Sequence, residues 1–320
     1  MLRAFTSKNG CLSELRLSEN ASERPDSLNR ALWIDAIDPT PEERAQIERI
    51  INAELPDVDD VEEIEASARF FEDQQGLHIH SLFLAQEEGR HITSTVAFIL
   101  QPQRLITFRE EELADFRLLR MRARHGQIPA SDPMTLLVTI LEQKVENLAD
   151  TIEDLHRRLE DVSVMVLEEE NADLEEAIDR LAKIENSNGR IRLCLMDTQR
   201  ALGYLLRQLK NSNPELQENC RETMRDIETL MSHTTFVFEK VNFLMDSAQG
   251  FINIQQNQII KIFSIAAVVF LPPTLVASIY GMNFEHMPEL TWEYGYPLAL
   301  LMMVVSGIAP YLYFKRKGWL

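Results

Sequence analysis

A chain of 320 residues with 45% hydrophobic content is long enough for two or three structural units and a sizeable core. Its 32 Lys and Arg stand against 51 Asp and Glu, a net charge of -19 that repels nucleic-acid phosphates and anionic headgroups and favours a cationic ligand. Cys11, Cys194 and Cys220 lie far apart with no CxxC spacing, so neither a zinc cluster nor a disulfide framework is indicated.

The opening "MLRAFTSKNGCLSELRL" lacks the apolar core of a secretory signal, so the amino-terminal part is expected to stay in the cytosol. Residues 1–133 read as a mixed α/β domain. "ALWIDAI", "GLHIHSLFLA", "TSTVAFIL" and "RLITFRE" are rich in strand formers, and "TPEERAQIERIINA" starts a helix with Thr40 and Pro41. The acidic stretch 57–73 is either a solvated helix face or a cation-responsive surface.

From Met134 the period becomes heptad. Leu141, Val145, Leu148, Ile152, Leu155, Leu159, Val162 and Val166 alternate four and three apart, one apolar seam on a long helix. "EEENADLEEAIDRL" holds the turn into an antiparallel partner, so 134–213 is expected to form two long helices. Asn213, Pro214 and Glu215 then begin a third. Its stripe of Met224, Ile227, Met231, Thr234, Phe238, Val241, Met245, Ala248 and Ile252 has no breaker before Pro272. A helix over 214–280 would be ~100 Å long, with 214–261 as a stalk.

Two charge-free runs, 262–280 and 296–314, can each cross ~30 Å of hydrocarbon as a helix. Lys261 precedes the first and Lys315, Arg316 and Lys317 in the tail 315–320 follow the second. The linker 281–295 has Glu285, Glu289 and Glu293 with no Lys or Arg, so the positive-inside rule puts both chain ends in the cytosol and the linker outside. Asp246, Asn253, Asn257, Ile260, Ser264, Ala267, Leu271, Thr274 and Ser278 recur at helical spacing on the first of these helices. Polar groups there are costly against lipid, so the stripe is expected to line a wet lumen. Two spans cannot enclose one, so a pore needs several copies around an axis. Ile260, Phe263 and Leu271 would then form apolar rings that block ions by dewetting. Pro272 and Pro273 free the carbonyls of Val268 and Val269, which leaves open a bend, a pore-facing carbonyl or a harmless kink.

The helix ends in "YGMNFEHMPEL". Gly281 is expected to take the left-handed conformation that closes a helix, placing Asn283 at the rim. Mg²⁺ dehydrates reluctantly, so neutral amide oxygens suit its intact water shell, while Glu285, Glu289 and Glu293 concentrate cations nearby. Gly281, Met282 and Asn283 form the candidate filter.

With Tyr-Gly-Met-Asn after the first span, Met-Pro-Glu-Leu in the loop, and "IEASARFFED", "RLCLMDTQRAL", "VFLPPTLVAS" and "APYLYFKRKGWL" elsewhere, the chain resembles the CorA magnesium channels along essentially its whole length. The resemblance implies an α+β membrane protein. It would be a homopentameric funnel in the bacterial inner membrane, with a cytosolic α/β domain, a stalk beside antiparallel helices and two C-terminal transmembrane helices. It further implies Mg²⁺ as cargo and regulatory ligand, Co²⁺ and Ni²⁺ as secondary cargo, and intracellular Mg²⁺ between subunits holding the channel shut. Glu222 and Asp226 are the candidate regulatory ligands. Partners are then other copies of the chain, lipids and divalent cations, with no nucleic acid. Rival readings are a zinc or other divalent-cation transporter of the same fold and a membrane-anchored, non-conducting cation sensor. No phosphate loop, nucleophile motif or metal-ligand cluster supports an enzyme.

Overall fold

Two tight turns fix the register of the amino-terminal sheet. Asn9 and Gly10 have φ of 54° and 78°, and Glu88 and Gly89 have φ of 48° and 78°, the paired positive values of two-residue hairpin turns. Gly76 opens a strand with φ of 142°, and a Cβ there would meet the Leu100 carbonyl oxygen at 2.3 Å, so no other residue fits. The structure, a computed structural model, describes residues 1–15, 24–52, 55, 69–169, 172–209, 213–283, 287–288 and 292–318. The chain falls into two units, Met1–Met245 and Asp246–Leu320.

The described elements in chain order are β1 Leu2–Lys8, β2 Cys11–Leu15, α1 Arg24–Asn29, β3 Trp33–Ile37, α2 Pro41–Ile51, β4 Phe70–Asp73, β5 Gly76–Glu87, β6 Arg90–Gln101 and β7 Arg104–Arg109. Then come α3 Ala114–Arg124, α4 Pro133–Leu167, α5 Leu174–Gln208, α6 Pro214–Tyr280 and α7 Gly295–Arg316. The seven strands form one sheet in the order β2-β1-β3-β7-β6-β5-β4. Its one parallel pair, β3 with β7, aligns Trp33 with Leu105 and Ile37 with Arg109; the other pairs are antiparallel.

Strand alternation gives the sheet two different faces. On one, Ala4, Ile34, Ala36, Ala97, Ile99, Ile106 and Phe108 pack beneath Leu28 of α1 and Ile47 and Ile51 of α2. Helix α2 begins with a capping box: Thr40 Oγ1 accepts from the Glu43 N–H at 3.3 Å and Glu43 Oε2 from the Thr40 N–H at 3.1 Å. The other face carries aromatic packing, with the Phe5 and Trp33 centroids 4.5 Å apart and those of Phe83 and Phe116 5.4 Å apart. It also buries charge. Asp35, fully buried, is held by Arg109, by Arg120 Nη1 at 3.0 Å and by the Thr107 hydroxyl at 2.9 Å.

Helix α4 starts on Asp132, whose Oδ1 accepts from the Thr135 N–H at 3.0 Å, with Pro133 in the first turn. All eight heptad residues from Leu141 to Val166 are buried. Each contributes about 1.5–3 kcal/mol by the area it removes from water. Helix α5 is capped by Asp173 and lies on the sheet against β5 and β6. There Asp197 Oδ2 accepts from the Ser81 hydroxyl at 2.7 Å and the Leu82 N–H at 2.8 Å, and Oδ1 from Arg69 at 3.1 Å. Helix α6 begins with Asn213 Oδ1 accepting from the Leu216 N–H at 3.2 Å. Its buried line runs through Thr223, Ile227, Thr234, Val237, Val241, Leu244 and Ala248. The stripe expected from spacing is corrected where Met224, Phe238 and Met245 stand: the residue before each, Thr223, Val237 and Leu244, is the buried one, Phe238 is 46% exposed, and Met224 and Met245 are half-buried.

In the second unit α6 continues as helix through Pro272 and Pro273 to Tyr280. A Cβ at Gly307 of α7 would lie 3.2 Å from Pro273 Cγ and 3.6 Å from the Val269 carbonyl oxygen, so the absence of a side chain there lets the two helices approach. Both helices are long and apolar enough to cross a membrane.

Candidate functional site

From Ile262 to Tyr280 the half-buried residues of α6 are Ile265, Ala266, Val269, Pro272, Pro273, Val276 and Tyr280. At about 100° per residue these cluster around one direction, and Ile260, Ser264, Ala267, Leu271, Thr274 and Ser278 cluster around the opposite one. Asp246, Asn253 and Asn257 continue that second direction, and every residue of the stripe is exposed. One side of α6 is therefore committed to α7. The polar and small-residue side is left open by the chain's own fold. Phe263 lies at its edge; Ile260, Phe263 and Leu271 are 61%, 70% and 66% exposed.

Local hydrogen bonding bears on the three alternatives at the prolines. The Thr274 hydroxyl donates to the Phe270 carbonyl at 2.7 Å, a back-bond that satisfies it inside the helix. Val269, one of the residues whose carbonyl the prolines release, lies on the α7 side, next to Gly307.

The end of α6 corrects one expectation. The Gly281 N–H still donates to the Ala277 carbonyl at 2.9 Å and the Met282 N–H to Ile279 at 3.3 Å. Gly281 is not among the left-handed residues. Its glycine has a steric reason instead, since a Cβ would sit 3.1 Å from the Ala277 carbonyl oxygen and 3.6 Å from that of Ser278. Met282 and Asn283 follow, both exposed. Glu293 is exposed, whereas Glu285 and Glu289 lie outside the described residues, as do positions 57–68 of the acidic stretch.

In the first unit, Glu222 and Asp226 of α6 share a 540 Å³ cleft with Glu142 and Glu146 of α4. Burial first, then repulsion from Glu146 and Glu222, raises the Glu142 pKa above the usual carboxylate value. Sequence reasoning missed Glu142 and Glu146. Their signal was an i, i+4 acid pair, each member directly following a seam residue, Leu141 and Val145. Among the described residues no group of three or more His, Cys, Asp or Glu is arranged to hold a metal ion.

Residues 29–316 match the family model described as CorA-like Mg2+ transporter protein. The chain belongs to this CorA family. A magnesium transport protein CorA of Escherichia coli K12 is 49% identical over 322 residues, covering 100% of both chains. The CorA fold extends further than sequence does. The complete CorA magnesium transporter of Methanocaldococcus jannaschii superposes with a TM-score of 0.77 at 22% identity, over 100% of this chain and 99% of that one. The ZntB cytoplasmic domain of Vibrio parahaemolyticus superposes with a TM-score of 0.58 at 11% identity, over 78% and 97%. CorA membership thus agrees with the two apolar helices and with a transporter rather than an enzyme.

Proposed function

We propose that the chain is a Mg²⁺ channel of the bacterial inner membrane that also passes Co²⁺ and Ni²⁺. It works as a homopentamer with both chain ends in the cytosol. The observation that carries this reading is the opposition of faces on α6: one side meets α7, and the other presents an exposed polar and small-residue stripe from Asp246 to Ser278 that leads to Tyr280-Gly281-Met282-Asn283. Five copies of that side around an axis give a lumen whose polar groups are wet, which removes the cost they would carry against lipid.

Function follows from the order of groups along the stripe. Glu285, Glu289 and Glu293 raise the local cation concentration outside. Asn283 oxygens accept hydrogen bonds from the water shell of a hydrated ion, so Mg²⁺ enters without shedding tightly held water. Ile260, Phe263 and Leu271 then form the hydrophobic constriction. Cytosolic Mg²⁺ near Glu222 and Asp226 favours the closed assembly by neutralising carboxylates crowded into one cleft, where burial first and then Glu146 and Glu222 raise the Glu142 pKa. Uptake by liposomes carrying the pure protein tests the whole reading. Mg²⁺ flux blocked from outside by an inert hexa-coordinated cobalt complex is expected, with weaker block and lower affinity in Asn283→Ala. Flux of Zn²⁺ without Mg²⁺ would transfer the chain to the zinc reading, and absence of any flux would favour the sensor.

A further inference from the structure

Outside the carboxylate cleft and the stripe, two imidazoles meet between helices that the transport reading leaves without a task. His156 of α4 and His233 of α6 have ring centroids 5.6 Å apart with planes at 90°. His156 also lies against Phe236 of α6, at 5.6 Å and 23°. Its Nε2 is buried and has no hydrogen-bond partner among the described residues. A buried ring nitrogen left unpaired costs about 1–3 kcal/mol, so its presence calls for a reason. His233 is exposed, so the pair opens to solvent on one side.

We infer that His156 and His233 bind a late first-row divalent cation, such as Ni²⁺, Co²⁺, Zn²⁺ or Cu²⁺, and through it tie α6 to α4. The centroid spacing fits this chemistry. With metal–nitrogen bonds of about 2.1 Å the ion sits roughly 3.2 Å from each ring centroid, so a ligand–metal–ligand angle of about 110–120° sets the centroids roughly 5.2–5.5 Å apart. The observed 5.6 Å lies just outside that range, and rotation of the exposed His233 side chain is what would bring one of its ring nitrogens to face a shared ion. Burial, and secondarily the neighbouring His233 ring, lowers the His156 pKa below the ordinary imidazole value, which keeps a lone pair available. With no third His, Cys, Asp or Glu arranged around the pair among the described residues, water completes the coordination and the ion can exchange. Imidazole selects these metals over Mg²⁺, a hard ion that prefers oxygen. The pair therefore responds to cations other than Mg²⁺, and by a route separate from carboxylate neutralisation.

Titration calorimetry of the full-length, tag-free protein with Ni²⁺ in a large excess of Mg²⁺ tests the site. Parent protein should bind about one Mg²⁺-resistant Ni²⁺ per chain through this pair, and His156→Gln or His233→Ala should each weaken that binding about tenfold or more by leaving a single imidazole. Ni²⁺ should also raise the melting temperature of the parent and not that of either variant, because only two ligands on different helices can clamp them. Full displacement of Ni²⁺ by the Mg²⁺ excess, or unchanged Ni²⁺ affinity in a folded variant, overturns the inference. Should His156→Gln fail to assemble, His233→Ala, altered at an exposed position, decides alone. Neither result depends on whether the protein conducts.

Discussion

Replacing Asp35 by Ala removes the acceptor at the centre of a buried ion cluster. Arg109, 1% exposed, would then keep its charge out of water with no carboxylate in hydrogen-bond contact among the described residues, while Arg120 retains Glu112. Breaking a buried pair in this way costs about 3–5 kcal/mol. The Arg109 guanidinium also lies 3.8 Å from the Phe116 ring centroid, a cation–π contact present with or without Asp35, so it cancels from the difference. A destabilisation of about 3–5 kcal/mol is therefore expected, which for a unit of this size lowers its melting temperature by about 6–20 °C. Trp33 reports it directly, since its indole N–H donates to Thr107 Oγ1 at 3.0 Å and that hydroxyl donates to Asp35. In a background with Trp292 and Trp319 changed to Phe, Trp33 fluorescence should show the lowered transition in detergent-solubilised full-length protein. A shift below about 2 °C would mean that water or rearrangement satisfies Arg109, and the reasoning from a dry ion cluster would fail.

Ile260→Ser should raise flux at high internal Mg²⁺ by easing hydration of the constriction; flux equal to the parent's would remove Ile260 from the closed state. In a background without Cys11, Cys194 and Cys220, Glu293→Cys should react with an impermeant thiol reagent added from outside and Lys317→Cys should not, and the reverse pattern would refute the topology. Rising Mg²⁺ should slow proteolysis of the parent, with the effect diminished in Glu222→Gln/Asp226→Asn; identical digestion of both proteins would dismiss that cleft as the regulatory site. His80, 2% exposed, has its pKa pushed down to about 4 by burial first and then by His78 and Arg69. The unfolded chain protonates near the ordinary value of about 6.5 and the folded chain only near about 4, so stability is present above that upper value and is lost as pH falls between the two. Melting at pH 5.5 should accordingly lie below that at pH 7.5, and His80→Phe should flatten the difference if His80 is its source.

Much of the architecture could be read where a pattern was local. The heptad residues of α4 needed only a seam of fixed period, and all eight are buried. Both apolar runs announced themselves by length, and "GLHIHSLFLA" and "TSTVAFIL" became the β5–β6 hairpin. Long-range placement was invisible. Asp35 meets Arg109 and Arg120, which lie 74 and 85 positions later, and nothing in a single chain marks such partners. The strands β1, β2 and β4 were missed because charged or polar residues interrupt them, as Arg3, Thr6 and Ser7 do in β1, Ser13 and Glu14 in β2, and Glu72 and Asp73 in the four-residue β4. At Gly281 the residue type was informative but its usual cause was not, since glycine serves there for clearance rather than for a left-handed turn. His156 and His233 looked like isolated residues of two helices until packing joined them.

The two opposed sides of α6 make that helix a phase-sensitive element. A substitution on one side leaves the other in place, but inserting a single residue between Asn257 and Ser264 would rotate everything beyond it by about 100°. The residues that meet α7 at Gly307 and those of the stripe would be displaced together. A seven-residue insertion, nearly two full turns, would rotate them by only about 20° while lengthening the helix. Length variation in this segment is therefore expected to come in whole heptads, and a one-residue insertion should inactivate even where each neighbouring position accepts many side chains.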